Sequence, residues 1–129
     1  MKLYNIDFDF HTKDDLFADG FLFLLTVNAE IIELYNTNEQ FRSSVVDAKK
    51  CFDGVIPLIF ARVFKGCDHE KISGSEVIFD ILEDCSEKNK SIFFLGGSQQ
   101  ANKKAIESIS LKYNIKVDGF SPPFEPYPF

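Results

Sequence analysis

The apolar positions change period several times along the chain, and each change marks an expected element. Residues 21–25 (Phe, Leu, Phe, Leu, Leu) run without a polar break. Such a run predicts a strand buried on both faces, as in a parallel sheet. From Ala29 the period becomes helical, with Ile31, Ile32, Leu34 and Tyr35 on one side. Asn28 is suited to cap that helix, and Glu30 falls in its first turn, where the helix dipole favours a carboxylate. Before this, Tyr4, Ile6, Phe8 and Phe10 alternate with polar residues, which predicts a half-exposed edge strand. A short helix over 12–18 follows, capped by Thr12.

Further along, a second helix starts near Glu39 and turns Phe41, Val45 and Ala48 inward. A weak strand, basic at its start, ends in the Asp53-Gly54 turn. Residues 56–64 predict a buried helix, with Pro57 tolerated in its first turn and Gly66 ending it. Ser73 and Glu76 have the spacing of a capping box. Val77, Ile78, Ile81, Leu82 and Cys85 then mark one helical face. A second buried strand is expected at 92–95, followed by Gly96-Gly97-Ser98. The next helix carries Ala101, Ala105, Ile106 and Ile109 inward, Asn114 turns the chain, and a last strand falls at 115–117.

Strands alternating with helices give an α/β class. Right-handed crossovers then make an open, Rossmann-like parallel sheet with helices on both faces in a single domain. The expected division is an α/β domain over 1–120 and a tail over 121–129, because four of the five prolines (Pro122, Pro123, Pro126 and Pro128) crowd the end.

With 129 residues, 45% of them hydrophobic, the chain can build one core. The net charge of −6 comes with no basic block, which argues against a phosphate-tracking nucleic-acid surface. Cys51, Cys67 and Cys85 stand far apart with no CxxC, as free thiols in a reducing compartment do. No apolar run reaches membrane-spanning length and the acidic start is unlike a signal peptide, so a cytoplasmic location is expected. His11 and His69 have no ligand-like spacing to each other or to a cysteine. Asp7-Phe8-Asp9 matches a D-x-D metal pattern, but strand alternation explains it without an ion. No metal or cofactor is expected.

Three turns are expected at the carboxyl edge of the sheet: Thr26 to Asn28, Asp53-Gly54 and Gly96-Gly97-Ser98. Ligands bind at such edges in open α/β sheets. Glycines between a strand and a helix let backbone amides approach an anion at the helix N-terminus. Neither GxGxxG nor a Walker lysine is present. An aspartate at a strand end, partly desolvated, can act as a general base; it is also a common turn residue. Together the turns suggest a pocket for a phosphorylated ligand without naming a reaction.

The ordered set TVNAE (26–30), FDG (52–54), ARVFKG (61–66), SGSE (73–76), FFLGG (93–97) and GFSPPF (119–124) resembles the WecG/TagA/CpsF family of glycosyltransferases. The resemblance runs from about Phe21 to Phe124. It implies inverting, metal-independent transfer of an N-acetylmannosamine-type sugar from a UDP donor to GlcNAc on undecaprenyl diphosphate, in surface polysaccharide or teichoic acid synthesis. By motif, Asp53 matches the proposed general base, Thr26 a threonine of the same pocket, and Asn28 stands beside it. Gly54, Gly74, Ser75, Gly96 and Gly97 are candidate substrate-binding positions. The family's next strand and P-K-Q-E-type motif do not follow the S-P-P-F loop, so the chain reads as truncated. Phe52 stands where the family usually has Pro, and Ser73 where it usually has Thr. The lipid-linked acceptor implies peripheral association with the inner face of the membrane, and a face left bare by the missing segment would favour a homo-oligomer. The alternative reading is a non-catalytic α/β module that binds a nucleotide-sugar.

Overall fold

The amino-terminal alternation folds back on itself instead of forming one edge strand. In the computed structural model, which describes residues 1–17, 20–123 and 125, strands β1 (Lys2–Leu3) and β2 (Ile6–Asp7) pair antiparallel. Tyr4 and Asn5, both at positive φ (53° and 63°), make the turn, the geometry that suits a two-residue hairpin. The alternation itself holds: Ile6, Phe8 and Phe10 are buried while Asp7, Asp9 and His11 are exposed. Asp9 then ties this segment to the middle of the chain. Its amide donates to the Lys50 carbonyl at 2.9 Å, and its carboxylate accepts from the Lys50 amide at 2.8 Å. The D-x-D aspartate thus does the work of a strand partner.

The expected helix after Thr12 is a short 3-10 turn, Lys13–Phe17, and the residue that closes it is Asp15. Its carboxylate accepts from the amides of His11 and Thr12. Those bonds, Thr12's first, hold the Asp15 carboxyl below its usual range. The expected end of this helix at Ala18 lies outside the described residues.

Strand β3 (Leu24–Val27) pairs in parallel with β4 (Lys49–Phe52), residue against residue from Leu24↔Lys49 to Val27↔Phe52. Helices α1 (Ala29–Thr37) and α2 (Glu39–Ser44) form the crossover between them. Asn38 ends α1 and caps α2, its side chain accepting from the Phe41 amide at 2.9 Å. The strand expected at 21–25 is therefore shifted: Phe21 is 98% exposed, and Leu24 to Thr26 are only half-buried. A continuous apolar run signals a buried strand only where a partner ladder covers it, and here the ladder begins at Leu24.

Helix α3 (Val55–Lys65) ends at Gly66 in the left-handed conformation, as expected. Its burial differs from expectation. Pro57, Leu58 and Ala61 face the core, whereas Val55, Ile56, Ile59, Phe60, Val63 and Phe64 are exposed. The helix is apolar nearly all round, and periodicity cannot say which side is covered. Val27, Phe52, Leu58 and Ala61 join Ile6 and Phe8 in one core cluster.

Helix α4 (Gly74–Glu87) begins where the capping box was expected, without the box. The Ser73 hydroxyl bonds the Ser75 hydroxyl at 3.0 Å, while the Glu76 amide takes the Ser73 carbonyl.

The chain forms two compact units, Met1–Val77 and one from Ile78 onward, which divide inside α4. In the second, β5 (Ile92–Leu95) and β6 (Val117–Phe120) pair in parallel around helix α5 (Gln99–Tyr113). Leu82, Cys85 and Ile115 centre its core. The last strand starts two residues later than expected and runs on through Gly119 to Phe120. A Cβ on Gly119 would stand 2.7 Å from the Phe94 carbonyl and from Asn102 Oδ1, so only glycine lets the backbones approach this closely. The strand at 92–95 is not buried on both faces; Phe93 and Leu95 are exposed.

The α/β class and the parallel pairing are as expected. Among the described residues the ladders form three two-stranded sheets where one sheet was expected. Of the proline-rich tail, residues 121–123 and 125 are described, and the rest lies outside the described residues. Among the described residues no helix is long and apolar enough to cross a membrane.

Candidate functional site

The carboxyl rim of β3 and β4 gathers the first two of the three expected turns. The in-register ladder puts Thr26 opposite Cys51, and the next step sets Asp53 beside Val27, whose carbonyl accepts from the amides of Asp53 (3.0 Å) and Gly54 (3.4 Å). Register partners share a sheet face, and alternation returns to that face every second residue. Thr26 and Cys51 therefore fall on one side, with Asp53 in the first position past the end of β4, while Val27 and Phe52 point into the core. Val27 and Phe52 are buried completely, and so is Cys51 on the other side, whereas Thr26, Asn28 and Asp53 at the strand ends are half-buried.

The helices reach the same rim with their amino ends. Asn28 caps α1, its Oδ1 accepting from the Ile31 amide at 2.9 Å. Gly54 stands at the cap of α3 with no side chain to occupy the free amides, and a Cβ there would lie 3.6 Å from the Asn28 Cα. Gly74 opens α4 against Thr26: a Cβ there would lie 3.2 Å from Thr26 Oγ1. On the far side of β4, Lys71 pairs with Phe52, and the Ile72 amide donates to the Phe52 carbonyl at 2.7 Å. Asp53 thus leaves a strand held from both sides. The N-termini of α1, α3 and α4 thus start next to the strand ends that carry Thr26, Asn28 and Asp53, and helix N-termini favour negative charge.

Cys51 lies beneath this rim, completely buried. Burial, with the Asp53 charge adding to it, pushes its thiol up to about 12. It is a packing residue, not a nucleophile.

The third turn belongs to the second unit. Gly96 and Gly97 both have positive φ (108° and 72°), which explains the glycine pair. The Gly96 amide donates to the Phe120 carbonyl, the Ser121 hydroxyl donates to the Gly97 carbonyl, and Asn102 donates to the carbonyls of Phe94 and Gly96. Ser98 caps α5. Gly97, Ser98, Gln99 and residues 120–123 line an open cleft of about 820 Å³. Sequence reading missed Asn102 and Ser121, which hold this turn in shape; an asparagine one turn into a helix after a glycine pair is the signal that was available.

Another grouping was also missed. His11 and Asp68 meet at 3.2 Å, and the His11 and His69 ring centroids stand 4.3 Å apart. The hydrogen bond from His11 holds the Asp68 carboxyl below its usual range. Burial lowers the His69 pKa, outweighing the pull of Asp68 in the other direction. No local spacing announces this cluster, because its members come from two distant loops.

Residues 11–127 match the Glycosyl transferase WecG/TagA/CpsF family, and the chain belongs to that family. A comparison with curated proteins gave no match.

Proposed function

We propose that this chain acts in the transfer of an N-acetylmannosamine-type sugar from a UDP donor to a GlcNAc carried on undecaprenyl diphosphate, for surface polysaccharide or teichoic acid synthesis. The observation that carries the reading is the shared rim: Thr26, Asn28 and Asp53 leave paired strands side by side, under the N-termini of α1, α3 and α4.

In this reading the acceptor hydroxyl attacks the anomeric carbon from the face opposite the departing UDP, and the configuration inverts. The Asp53 carboxylate takes the hydroxyl proton as the new bond forms, and the glycosidic oxygen of the donor leaves with its electron pair on the diphosphate. Thr26 and Asn28 orient the sugar. The growing charge on the diphosphate is met by backbone amides at the helix starts of the first unit's rim, with Gly54, Gly74 and Ser75 in line for it. The uncovered apolar side of α3 is where a lipid-borne acceptor at the inner membrane face, or a second copy of the chain, would be met.

The test is UDP release with a prenyl-diphosphate GlcNAc acceptor. Asp53→Asn keeps the backbone bond to Val27, so folding is expected to be unchanged while turnover falls by about 10²–10⁴. Equal turnover in both proteins removes Asp53 as the base. Calorimetric binding of UDP-sugar without turnover in the unaltered chain would leave a nucleotide-sugar binding module in place of the enzyme.

A further inference from the structure

We propose that His11, Asp68 and His69 form a binding site for a borderline divalent transition-metal cation, of which zinc is the natural probe. Each offers one ligand atom, and the three atoms lie within 4.8 Å of one another. Two imidazoles and one carboxylate form a donor set suited to zinc, cobalt or nickel and a poor one for magnesium or calcium, which take oxygen ligands. Three protein ligands leave a fourth tetrahedral position for water.

The polar accounting points the same way. His69 is 2% exposed, and its Nδ1 is buried with no hydrogen-bond partner. A buried polar atom left unmatched is destabilising, so this imidazole is held in place against its own desolvation. Its fixing contacts are visible. The ring meets Phe52 edge-on at 5.9 Å, the His69 amide donates to Cys67 Sγ, and the Arg62 guanidinium donates to the His69 carbonyl. His69 is therefore the rigid ligand, while His11 and Asp68, both exposed, are the adjustable ones. Metal–nitrogen and metal–oxygen bonds near 2.1 Å put tetrahedral ligand atoms about 3.4 Å apart. His11 and Asp68 already stand 3.2 Å apart, so closure asks only for small rotations of exposed side chains.

The site would join the segment after β2 to the loop between α3 and α4, across 57 residues of sequence. Backbone bonds already link these loops: the Glu70 amide donates to the His11 carbonyl at 2.6 Å, and the Lys13 amide to the Glu70 carboxylate. The α3–α4 loop runs on to Lys71 beside Phe52 and to Gly74 against Thr26. An ion here clamps the loop that borders the rim without being part of the sugar transfer, and the proposal stands whether or not the chain transfers sugar.

The experiment uses the full chain stripped of metal with a chelator, then titrated with zinc chloride by calorimetry and followed by thermal unfolding. One ion per chain and a zinc-dependent rise in Tm are expected, with magnesium giving neither. His11→Gln and Asp68→Asn alter exposed side chains; each is expected to keep the metal-free Tm and to weaken zinc binding by at least about tenfold, the loss typical even for outer-shell partners of a metal ligand. His69→Asn is expected to abolish it. Cobalt substituted for zinc should give visible d–d bands without a thiolate charge-transfer band. No saturable zinc binding, unchanged affinity in both exposed-site variants, or a thiolate band pointing to a cysteine site would each overturn the assignment.

Discussion

The Phe8 ring lies flat on Phe52, with centroids 3.8 Å apart and planes 7° from parallel. Phe52 is the residue before Asp53, so the amino-terminal segment supports the base of the strand that delivers the carboxylate. Both rings are buried, and they anchor the first unit's core with Ile6, Val27 and Leu58. Phe8→Ala should cost about 3–5 kcal/mol in urea unfolding, the usual range for emptying a buried aromatic site. Phe8→Leu, which refills part of the volume, should cost visibly less. If the two variants were equally mild, the stack would not be a supporting contact.

Gly74 and Thr26 should behave as a coupled pair. A methyl on Gly74 meets Thr26 Oγ1 at 3.2 Å and Cγ2 at 3.5 Å, so one of the two must give by a few tenths of an ångström. Gly74→Ala should be destabilising with Thr26 present and nearly neutral in a Thr26→Ala background, with a coupling of about 0.5–3 kcal/mol in a double-mutant cycle. Thermal unfolding of the four proteins decides it, and simple additivity would mean that the helix start does not rest on Thr26.

Cys51 should be chemically silent in the folded protein. With its thiol pushed up to about 12, only about one molecule in ten thousand carries the thiolate at pH 8. Alkylation should therefore spare Cys51 until the chain is unfolded, as mass spectrometry of digested protein would show. The linkage has a definite sign. Folding favours the protonated thiol, so its contribution to stability is complete below the ordinary thiol range near 9. It is lost as pH climbs from there towards 12, because the unfolded chain ionises first. Cys51→Ala should flatten that alkaline decline, and an unchanged slope would assign the decline to other groups.

Gly119 and Gly66 separate two reasons for glycine. Gly66 has φ of +61° with open space around it, so Gly66→Ala should cost only the left-handed penalty of about 1–2 kcal/mol. Gly119 has no unusual φ, but its added Cβ would press at 2.7 Å on the Phe94 carbonyl, which is backbone and cannot swing away. Gly119→Ala should thus force strand movement at a cost of about 1–3 kcal/mol, and removing the movable neighbour with Asn102→Ala should not restore stability. Rescue by that second change would show the side chain, not the strand, to be the obstacle.

Much of the first unit's rim was legible in residue pattern. Asn28 as a cap, the Asp53-Gly54 break and the glycine stop at Gly66 are local decisions, made by a short side chain reaching its own backbone or by a missing Cβ. The pairing of β3 with β4 followed from the crossover rule. The capping box at Ser73 failed because the nearest partner for its hydroxyl is another hydroxyl, Ser75, which the spacing rule does not weigh.

What the chain's order of residues determined by itself was the alternation of strands and helices, their approximate limits, and the family motifs at Thr26, Asp53 and Gly96, because these rest on period, capping and steric freedom within a few neighbours. Only tertiary structure decided which side of α3 is covered, how many strands share a ladder, and that His11 meets His69. Each of those depends on groups brought together from distant positions, where the free energy lies in burial and pairing across space, and local pattern carries no record of the partner.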